Sequence, residues 1–149
     1  MTRYVIETAR KIGVKKPKVA IISFSEKTNP KNPTSVDAAF ISKMSDRNQI
    51  KNADIDGPLS IDLAIDPVSL KYKDVTSCVQ ANADCLVFPF LEAANIFYKT
   101  LTYFANANMA TYIVGTQVPI TISSRSDTVK NKLYSLAFAC LMAEKPAGE

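Results

Sequence analysis

Apolar runs alternate with polar and amphipathic stretches along this sequence. Two runs are apolar almost throughout and predict buried strands at 18–24 (KVAIISF) and 85–90 (CLVFPF), and a short strand is expected between them at 53–56 (ADID). Two shorter runs, 111–115 and 120–123, are rich in β-branched residues and predict a fourth and a fifth strand. Because helical patterns separate most of these runs, we expect an α/β fold: a mostly parallel central sheet with helices on both faces.

The stretches between the strands repeat their apolar residues at helical spacing. We expect helices at about 2–12, 33–44, 61–70, 91–104 and 128–143. Thr34 and Asp37 have the spacing of a capping box, which predicts the start of the second helix. The last helix has a single apolar stripe, made of Val129, Leu133, Leu136, Ala137 and Cys140.

The length and composition indicate one globular domain. The chain has 149 residues, of which 47% are hydrophobic and 21% charged, and we expect residues 1–143 to form a single α/β domain with a flexible tail at 144–149. No apolar run approaches the ~20 residues of a membrane helix. The first residues lack the pattern of a signal peptide. We therefore expect a cytoplasmic protein.

The residue types present exclude several classes of site. There are no histidines and only three cysteines, which form no CxxC pair, so we expect reduced structural thiols and no zinc site. Catalysis by serine–histidine or cysteine–histidine pairs is excluded. The net charge of +4 is small, and the basic run at 15–18 lacks aromatic neighbours, so a nucleic-acid surface is not indicated.

Polar side chains follow four of the predicted strands. Since the carboxyl ends of parallel strands meet at one edge of a sheet, we expect these groups to line a cleft. Each has a structural alternative, because such residues also cap helices and fix turns. The candidates are Ser23, Ser25, Asp56, Asp62, Glu92, Asn95, Ser124, Arg125 and Asp127.

The segment 119–127 (PITISSRSD) carries the clearest chemistry. A strand pattern stops in hydroxyls and one arginine, directly before the last predicted helix. Free N–H groups at a helix start and a guanidinium suit a phosphate or a developing oxyanion. The alternative is a solvated loop in which Ser126 or Asp127 only caps the helix.

Nucleotide and metal sites have weaker signals. The sequence contains neither GxGxxG nor GxxxxGK[ST], so the Rossmann and P-loop classes are unsupported. Asp56 and Asp62 could together contribute to a magnesium site, but two carboxylates without a third ligand are a weak pattern.

Several ordered motifs carry a resemblance to a known family. The sequence resembles the phosphate acetyl/butyryl transferase family, with the phosphate butyryltransferase branch as the better match. The resemblance covers nearly all of this chain but only the C-terminal half of the family's length. Its motifs are 29–31 (NPK), 56–59 (DGPL), 92–95 (EAAN), 98–99 (YK), 124–125 (SR) and 131–133 (NKL).

The resemblance implies a reaction and an architecture. The reaction is reversible acyl transfer, in which acyl-CoA and phosphate give acyl phosphate and CoA, with a butyryl or similar short-chain acyl group expected. CoA is then a substrate, and no tightly bound cofactor or metal is expected. The fold would resemble the second domain of the isocitrate/isopropylmalate dehydrogenase architecture. The expected assembly is a homodimer without nucleic-acid or membrane partners, and the chain alone is expected to be inactive or weakly active.

The resemblance also suggests roles for the candidates. Arg125 would bind phosphate, Ser124 would donate to the phosphoryl or carbonyl oxygen, and Asp127 would be the nearest candidate for the base. Acetyl-specific relatives have an aspartate near the position that is Asn131 here, and an amide cannot accept the thiol proton. The expected substrate-binding residues are Ser23, Ser25, Asp56, Asp62, Glu92, Asn95 and Asn131.

Two other functions stay open on the sequence. The first is a dehydrogenase-like or metal-binding relative on the same scaffold, using Asp56 and Asp62. The second is a non-catalytic domain that binds CoA or a protein partner.

Overall fold

The computed structural model describes residues 1–143 and shows an α/β chain. The chain divides into two compact units, Met1–Ala93 and Ala94–Glu149. The expectation of one domain over 1–143 stays a prediction, and the expected tail at 144–149 lies outside the described residues. Within the described part, no helix is both long and apolar enough to cross a membrane.

The first unit contains three strands and four complete helices. A fifth helix, α5 (Leu91–Phe104), begins in this unit and continues into the second, and α6 (Val129–Ala143) follows there. The elements before α5 are α1 (Thr2–Lys11), β1 (Lys18–Ile22), α2 (Pro33–Asp46), β2 (Asp54–Leu59), α3 (Ile61–Ile65), α4 (Pro67–Tyr72) and β3 (Cys85–Val87).

The three strands form a parallel sheet in the order β2-β1-β3. The central strand β1 places Val19 opposite Ile55 on one side and opposite Cys85 on the other. Four of its five residues are buried, as expected for an apolar strand paired on both edges. The predicted α/β class with a parallel sheet is therefore confirmed in the first unit.

Two hydrophobic clusters cover the two faces of this sheet. Val19 and Ile21 pack with Ile6 of α1 and Ala38 of α2. Ala20 and Ile22 pack with other residues on the opposite side, which include Leu63 and Ala64 of α3 and Val79. Because successive residues of a strand point to opposite faces, one apolar strand fills both clusters.

The helix predicted at 61–70 is in fact two helices. The break falls at Asp66, whose carboxylate accepts hydrogen bonds from the N–H groups of Val68 (3.1 Å) and Ser69 (3.0 Å). Pro67 lacks the N–H that a continuous helix would need for its backbone hydrogen bond at this position. Proline is favoured as the first residue of a helix, which is where Pro67 stands in α4. The sequence signal for the break was therefore present in the Asp-Pro pair.

Other boundaries in the first unit also differ from the prediction. The prediction of a capping box was wrong. Helix α2 begins at Pro33 and has Asn32 as its N-cap. The hydroxyl of Thr34 donates to the side-chain oxygen of Asn32 (2.9 Å) and not to the helix backbone. β1 ends at Ile22 and β3 at Val87, both shorter than predicted. β2 extends to Leu59 through Gly57.

The second unit departs most from the predicted strands. The strands expected at 111–115 and 120–123 reduce, in the described chain, to one antiparallel bridge between Ile113 and Ile120. The prediction that these two runs form strands of the parallel sheet was wrong. The described sheet pairs only β1, β2 and β3, so these β-branched runs have no neighbouring strand to continue a ladder.

The two long helices of this region have the predicted bounds to within one residue. α5 was predicted at 91–104 and α6 at 128–143. The face that α6 buries is nevertheless not its apolar stripe: Val129, Leu133 and Leu136 are exposed. The buried side carries Asn131, Ser135, Ala139 and Met142.

Candidate functional site

A tight turn in the second unit holds Ser124, Arg125 and Asp127. The N–H of Ser124 donates to Oδ2 of Asp127 (2.7 Å), and the N–H of Asp127 donates to the carbonyl of Ser124 (3.0 Å). Asp127 is buried. An aspartate that accepts from the backbone in this way fixes the turn, so the position of Ser124 depends on this carboxylate.

Helix α5 supports the turn from the side. The hydroxyl of Tyr98 donates to Oδ1 of Asp127 (2.7 Å), so both carboxylate oxygens accept hydrogen bonds. Burial of the phenol, together with its bond to the Asp127 carboxylate, raises the pKa of Tyr98 to about 12. Tyr98 therefore stays a neutral donor at physiological pH.

Hydroxyl groups and a lysine converge beside Ser124. The ammonium of Lys99 donates to Oγ of Ser124 (3.1 Å) and lies 4.7 Å from the centre of the Tyr98 ring. Oγ of Ser124 is 3.1 Å from Oγ of Ser126, and the hydroxyl of Tyr103 donates to that same atom of Ser126 (3.1 Å). The turn thus carries a row of hydrogen-bond donors next to a positive charge.

Arg125 projects from the same turn and is exposed. Among residues 1–143 its guanidinium has no ion-pair or hydrogen-bond partner. A free guanidinium can bind a phosphate through two parallel hydrogen bonds. Chemically, the Lys99 ammonium, the serine hydroxyls and the neighbouring Arg125 are groups that suit the binding of an anion.

Asn131, which was expected to bind substrate, lies on the buried side of α6. Its side-chain oxygen accepts from the N–H of Met109 (3.2 Å). One turn later, Oγ of Ser135 accepts from the N–H of Thr111 (2.9 Å). These bonds attach the segment 109–111 to α6, which explains why this helix buries polar side chains.

The candidates of the first unit begin at the end of β1. The N–H of Ser23 donates to the carbonyl of Leu59 (2.8 Å), whereas its buried Oγ has no partner in the described chain. Ser25 closes a small turn by accepting from the N–H of Lys27 (3.2 Å). Both residues follow β1, although the strand had been predicted to extend to residue 24 and so to include Ser23.

Asp56 and Asp62 both have protein partners. Asp56 lies inside β2 and accepts from Oγ of Ser42 (3.2 Å) and the N–H of Gly57 (2.8 Å). Asp62 forms an ion pair with Lys73 (2.8 Å), and the hydrogen bond from this lysine is the main reason that the pKa of Asp62 falls to about 2.

A magnesium site at these carboxylates has little support. No group of three metal-binding side chains occurs in the described residues. The ammonium of Lys73 beside Asp62 would also repel a cation.

Glu92 and Asn95 occupy the first turns of α5, three residues apart. Both are exposed, so they lie on neighbouring positions of one helical surface. Glu92 belongs to the first unit and Asn95 to the second.

The structure therefore distributes the predicted residues between the two units. Ser124, Arg125 and Asp127 share one turn, with Asn131 just beyond it on α6. Tyr98 and Lys99 were not predicted as site residues, although the sequence contained them as a motif. They stand 29 and 25 residues before their partners Asp127 and Ser124, a separation at which no local pattern signals contact.

Comparisons with known proteins agree with the motif resemblance. The family model described as "Phosphate acetyl/butaryl transferase" matches residues 2–140. A phosphate butyryltransferase of Clostridium acetobutylicum is 43% identical over 138 residues, which are 93% of this chain and 46% of that protein. A phosphate acetyltransferase of Thermotoga maritima is 39% identical, over 96% of this chain and 49% of the relative.

Solved structures give the same result. A branched-chain phosphotransacylase from Enterococcus faecalis V583 superposes with a TM-score of 0.85 at 37% identity, covering 96% of this chain and 51% of that one. The chain spans about half the length of the curated relatives it matches. On the extent of the family match and these identities, the chain belongs to the phosphate acetyl/butyryl transferase family.

Proposed function

We propose that this chain contributes the phosphate-binding part of an active site that converts acyl-CoA and phosphate to acyl phosphate and CoA. One observation carries the proposal: the Lys99 ammonium contacts the Ser124 hydroxyl (3.1 Å), and Arg125, whose guanidinium has no partner among residues 1–143, is the next residue of the same turn. Family membership supplies the type of reaction. The turn supplies the charges that such a reaction requires.

In this reaction, phosphate attacks the acyl carbonyl of a thioester that is bound next to it. Because two polyanions must lie side by side, binding and orientation contribute most of the catalysis. Arg125 and Lys99 would neutralise the phosphate, and the hydroxyl of Ser124 would donate to the phosphoryl or carbonyl oxygen as negative charge develops. The reverse direction uses the same contacts.

Asp127 is our candidate for the group that exchanges a proton with the CoA thiol. It is the carboxylate that accepts hydrogen bonds from the Ser124 N–H and the Tyr98 hydroxyl. In an active assembly containing this chain, Asp127→Asn should reduce turnover by about a hundredfold or more, the range of general acid–base catalysis. Unchanged turnover would reject this role.

Several finer features belong to the same proposal. The relatives named phosphate butyryltransferase support a butyryl-sized acyl group. CoA would act as a substrate and not as a bound cofactor. We also propose a homodimer, a cytoplasmic location consistent with the three free cysteines, and an architecture related to the isocitrate/isopropylmalate dehydrogenases.

We propose the remaining candidates as substrate-binding residues. Glu92 and Asn95 have exposed side chains on α5, which supports a positioning role. The other proposed members of this group are Ser23, Ser25, Asp56, Asp62 and Asn131.

Binding of inorganic phosphate to the chain tests the proposal directly. Lys99→Met and Arg125→Met should each weaken binding about tenfold, because each removes one charge-assisted hydrogen bond. Lys130→Met is the matched control, because Lys130 is also a lysine that lies over a tyrosine ring. Its ammonium is 5.6 Å from the centre of the Tyr134 ring. Titration calorimetry gives the affinities. Failure of the unmodified chain to bind phosphate, or an equal loss in the control, would contradict the proposal.

A further inference from the structure

A cavity of about 430 Å³ lies within the first unit, and none of the candidate residues discussed above lines it. Its wall is formed by the end of α2, the segment that follows this helix and the first residues of β2, together with Lys16 and Cys78. The cavity is therefore at the amino end of β2, whereas the candidates were expected at the carboxyl ends of strands. Its volume is that of a site for a small molecule.

Three of the lining side chains are apolar and nearly buried. Ile50, Ala53 and Ile55 are 7%, 8% and 2% exposed, and all three belong to one of the two hydrophobic clusters. A ligand with an apolar group would remove the last of this surface from water. A wholly polar ligand would leave it uncovered.

The segment 51–53 contributes hydrogen-bond donors that have no acceptor in the described chain. Among residues 1–143, the N–H groups of Lys51, Asn52 and Ala53 make no hydrogen bond to another residue. The ammonium of Lys51 forms no ion pair within the same range. Asn52 has a φ of 67°, a conformation found in turns whose successive N–H groups bind an anion. These donors suit a carboxylate.

Two carboxylates line the same cavity. Asp46 and Asp54 are each paired with one lysine, at 3.1 Å and 2.6 Å. Ion pairs at the surface are weak, so each carboxylate can accept a further hydrogen bond from a ligand. Their charge also acts on the cavity wall: burial raises the pKa of the Cys78 thiol, and Asp56 and these two carboxylates raise it further.

We propose that this cavity binds a small α-amino acid with an apolar side chain. The carboxylate of the ligand accepts from the donors of the segment 51–53, and its ammonium donates to Asp46 and Asp54. Its side chain covers the three apolar residues. A zwitterion matches the charge of the lining, in which Lys16 and Lys51 balance the two aspartates. The inference does not depend on the proposed acyl transfer.

Simpler ligands satisfy only part of this lining. A carboxylate without an ammonium group would place its charge near Asp46 and Asp54 and offer them no partner. An amine without a carboxylate would leave the donors of the segment 51–53 without an acceptor. Inorganic phosphate would leave the apolar side chains uncovered.

The native thiols allow the cavity to be probed in the unmodified 149-residue chain. Cys78 lines the cavity and Cys140 is an exposed thiol of the second unit. L-leucine should slow labelling of Cys78 by N-ethylmaleimide at least about fivefold at saturation, because a bound ligand excludes the reagent from the thiol. Labelling of Cys140 should keep its rate. Mass spectrometry of the labelled peptides gives both rates.

Two analogues with the same carbon skeleton test the charge requirement. 4-Methylpentanoate is leucine without the ammonium group, and 3-methylbutylamine is leucine without the carboxylate. Each should protect Cys78 at least about tenfold more weakly, because each lacks one set of charge-assisted hydrogen bonds. Absence of saturable protection by leucine overturns the inference. Equal protection by either analogue also overturns it, as does equal slowing at Cys140.

Variants of the lining residues assign the protection to this cavity. Lys51→Met and Asp46→Asn should each raise the leucine concentration for half-maximal protection about tenfold. Lys71→Met is the matched control, because Lys71 is an exposed lysine of the same unit that does not line the cavity. Circular dichroism verifies that the variants are folded. An unchanged concentration in either lining variant, or an equal rise in the control, overturns the inference.

Discussion

At the scale of single residues, Asp127 connects the backbone of the turn to helix α5. Its two oxygens accept from the Ser124 N–H and from the Tyr98 hydroxyl, each at 2.7 Å. Lys99, the next residue of α5, holds the Ser124 side chain. Consecutive residues of one helix therefore position both the backbone and the hydroxyl of Ser124.

This arrangement predicts an unusual tyrosine titration. Burial and the Asp127 carboxylate raise the pKa of Tyr98 to about 12, so one phenol should ionise later than the other tyrosines. Since the folded pKa exceeds the unfolded value of about 10, the stability from this bond is present below pH 10. It is lost as the pH rises through 12.

Ultraviolet absorbance of phenolate measures the titration. Tyr98→Phe should remove the late component, and Asp127→Asn should move it to lower pH. The exposed Tyr72 is the control, because Tyr72→Phe should leave the late component in place. A late component that survives Tyr98→Phe would belong to another tyrosine and would contradict the raised pKa of Tyr98.

The sequence predicted part of this site. Ser124, Arg125 and Asp127 were recognised from hydroxyls and an arginine before a helix, because a turn is encoded by neighbouring residues. Asn131 was expected to bind substrate, yet its amide oxygen accepts from the Met109 N–H. Contacts across 22 to 29 residues depend on how α5, the loop and α6 pack, which no local spacing encodes.

At the scale of elements, the close contact of β1 and β2 depends on Gly57. A Cβ at this position would lie 2.7 Å from Cβ of Ile21 and 2.9 Å from its carbonyl oxygen. The backbone of β1 would have to move to accept it. The glycine in the motif at 56–59 therefore has a packing role independent of substrate.

We expect Gly57→Ala to destabilise the chain by about 2 kcal/mol, the usual cost of overpacking a well-packed core. Gly13→Ala is the control: no atom lies within 4 Å of its added Cβ, and its φ of +100° adds backbone strain alone, worth about 1 kcal/mol. Urea unfolding measures both changes. Equal stability of Gly57→Ala and the unmodified chain would mean that the β1–β2 contact is looser than described.

Element prediction succeeded where the pattern is long or fully apolar. α5 has its predicted bounds, and β1 lies within the run that was predicted. The runs at 111–115 and 120–123 have strand composition but form one bridge, because a strand requires a paired neighbour whatever its own propensity.

At the scale of the whole molecule, the chain spans about half the length of the curated relatives it matches. The second unit leaves Val129, Leu133 and Leu136 of α6 exposed, and the residues of the two hydrophobic clusters all belong to the first unit. Under the proposed function, phosphate binding would use the turn and α5, whereas acyl transfer would also require surfaces that orient the thioester. We therefore expect the chain to bind phosphate without catalysing acyl transfer.

We predict that the purified 149-residue chain binds phosphate but turns over butyryl-CoA slowly or not at all. Phosphate-dependent release of the CoA thiol measures turnover. Adding the part of the Clostridium acetobutylicum relative that lies outside the aligned region should raise the rate, and Arg125→Met should abolish that gain. Rapid turnover by the chain alone would contradict this prediction and would place a complete active site within 149 residues.

The sequence by itself determined the α/β class, the apolar first strand, the long helices and the family, since these depend on local periodicity and on ordered motifs. Only the tertiary structure decided which face of α6 is buried, which carboxylates already have partners and which residues of α5 hold the turn. The physical reason is that burial and hydrogen bonding are properties of pairs of segments. A side chain such as Asn131 is polar in the sequence, and only the fold shows that its amide oxygen accepts a hydrogen bond from the Met109 N–H.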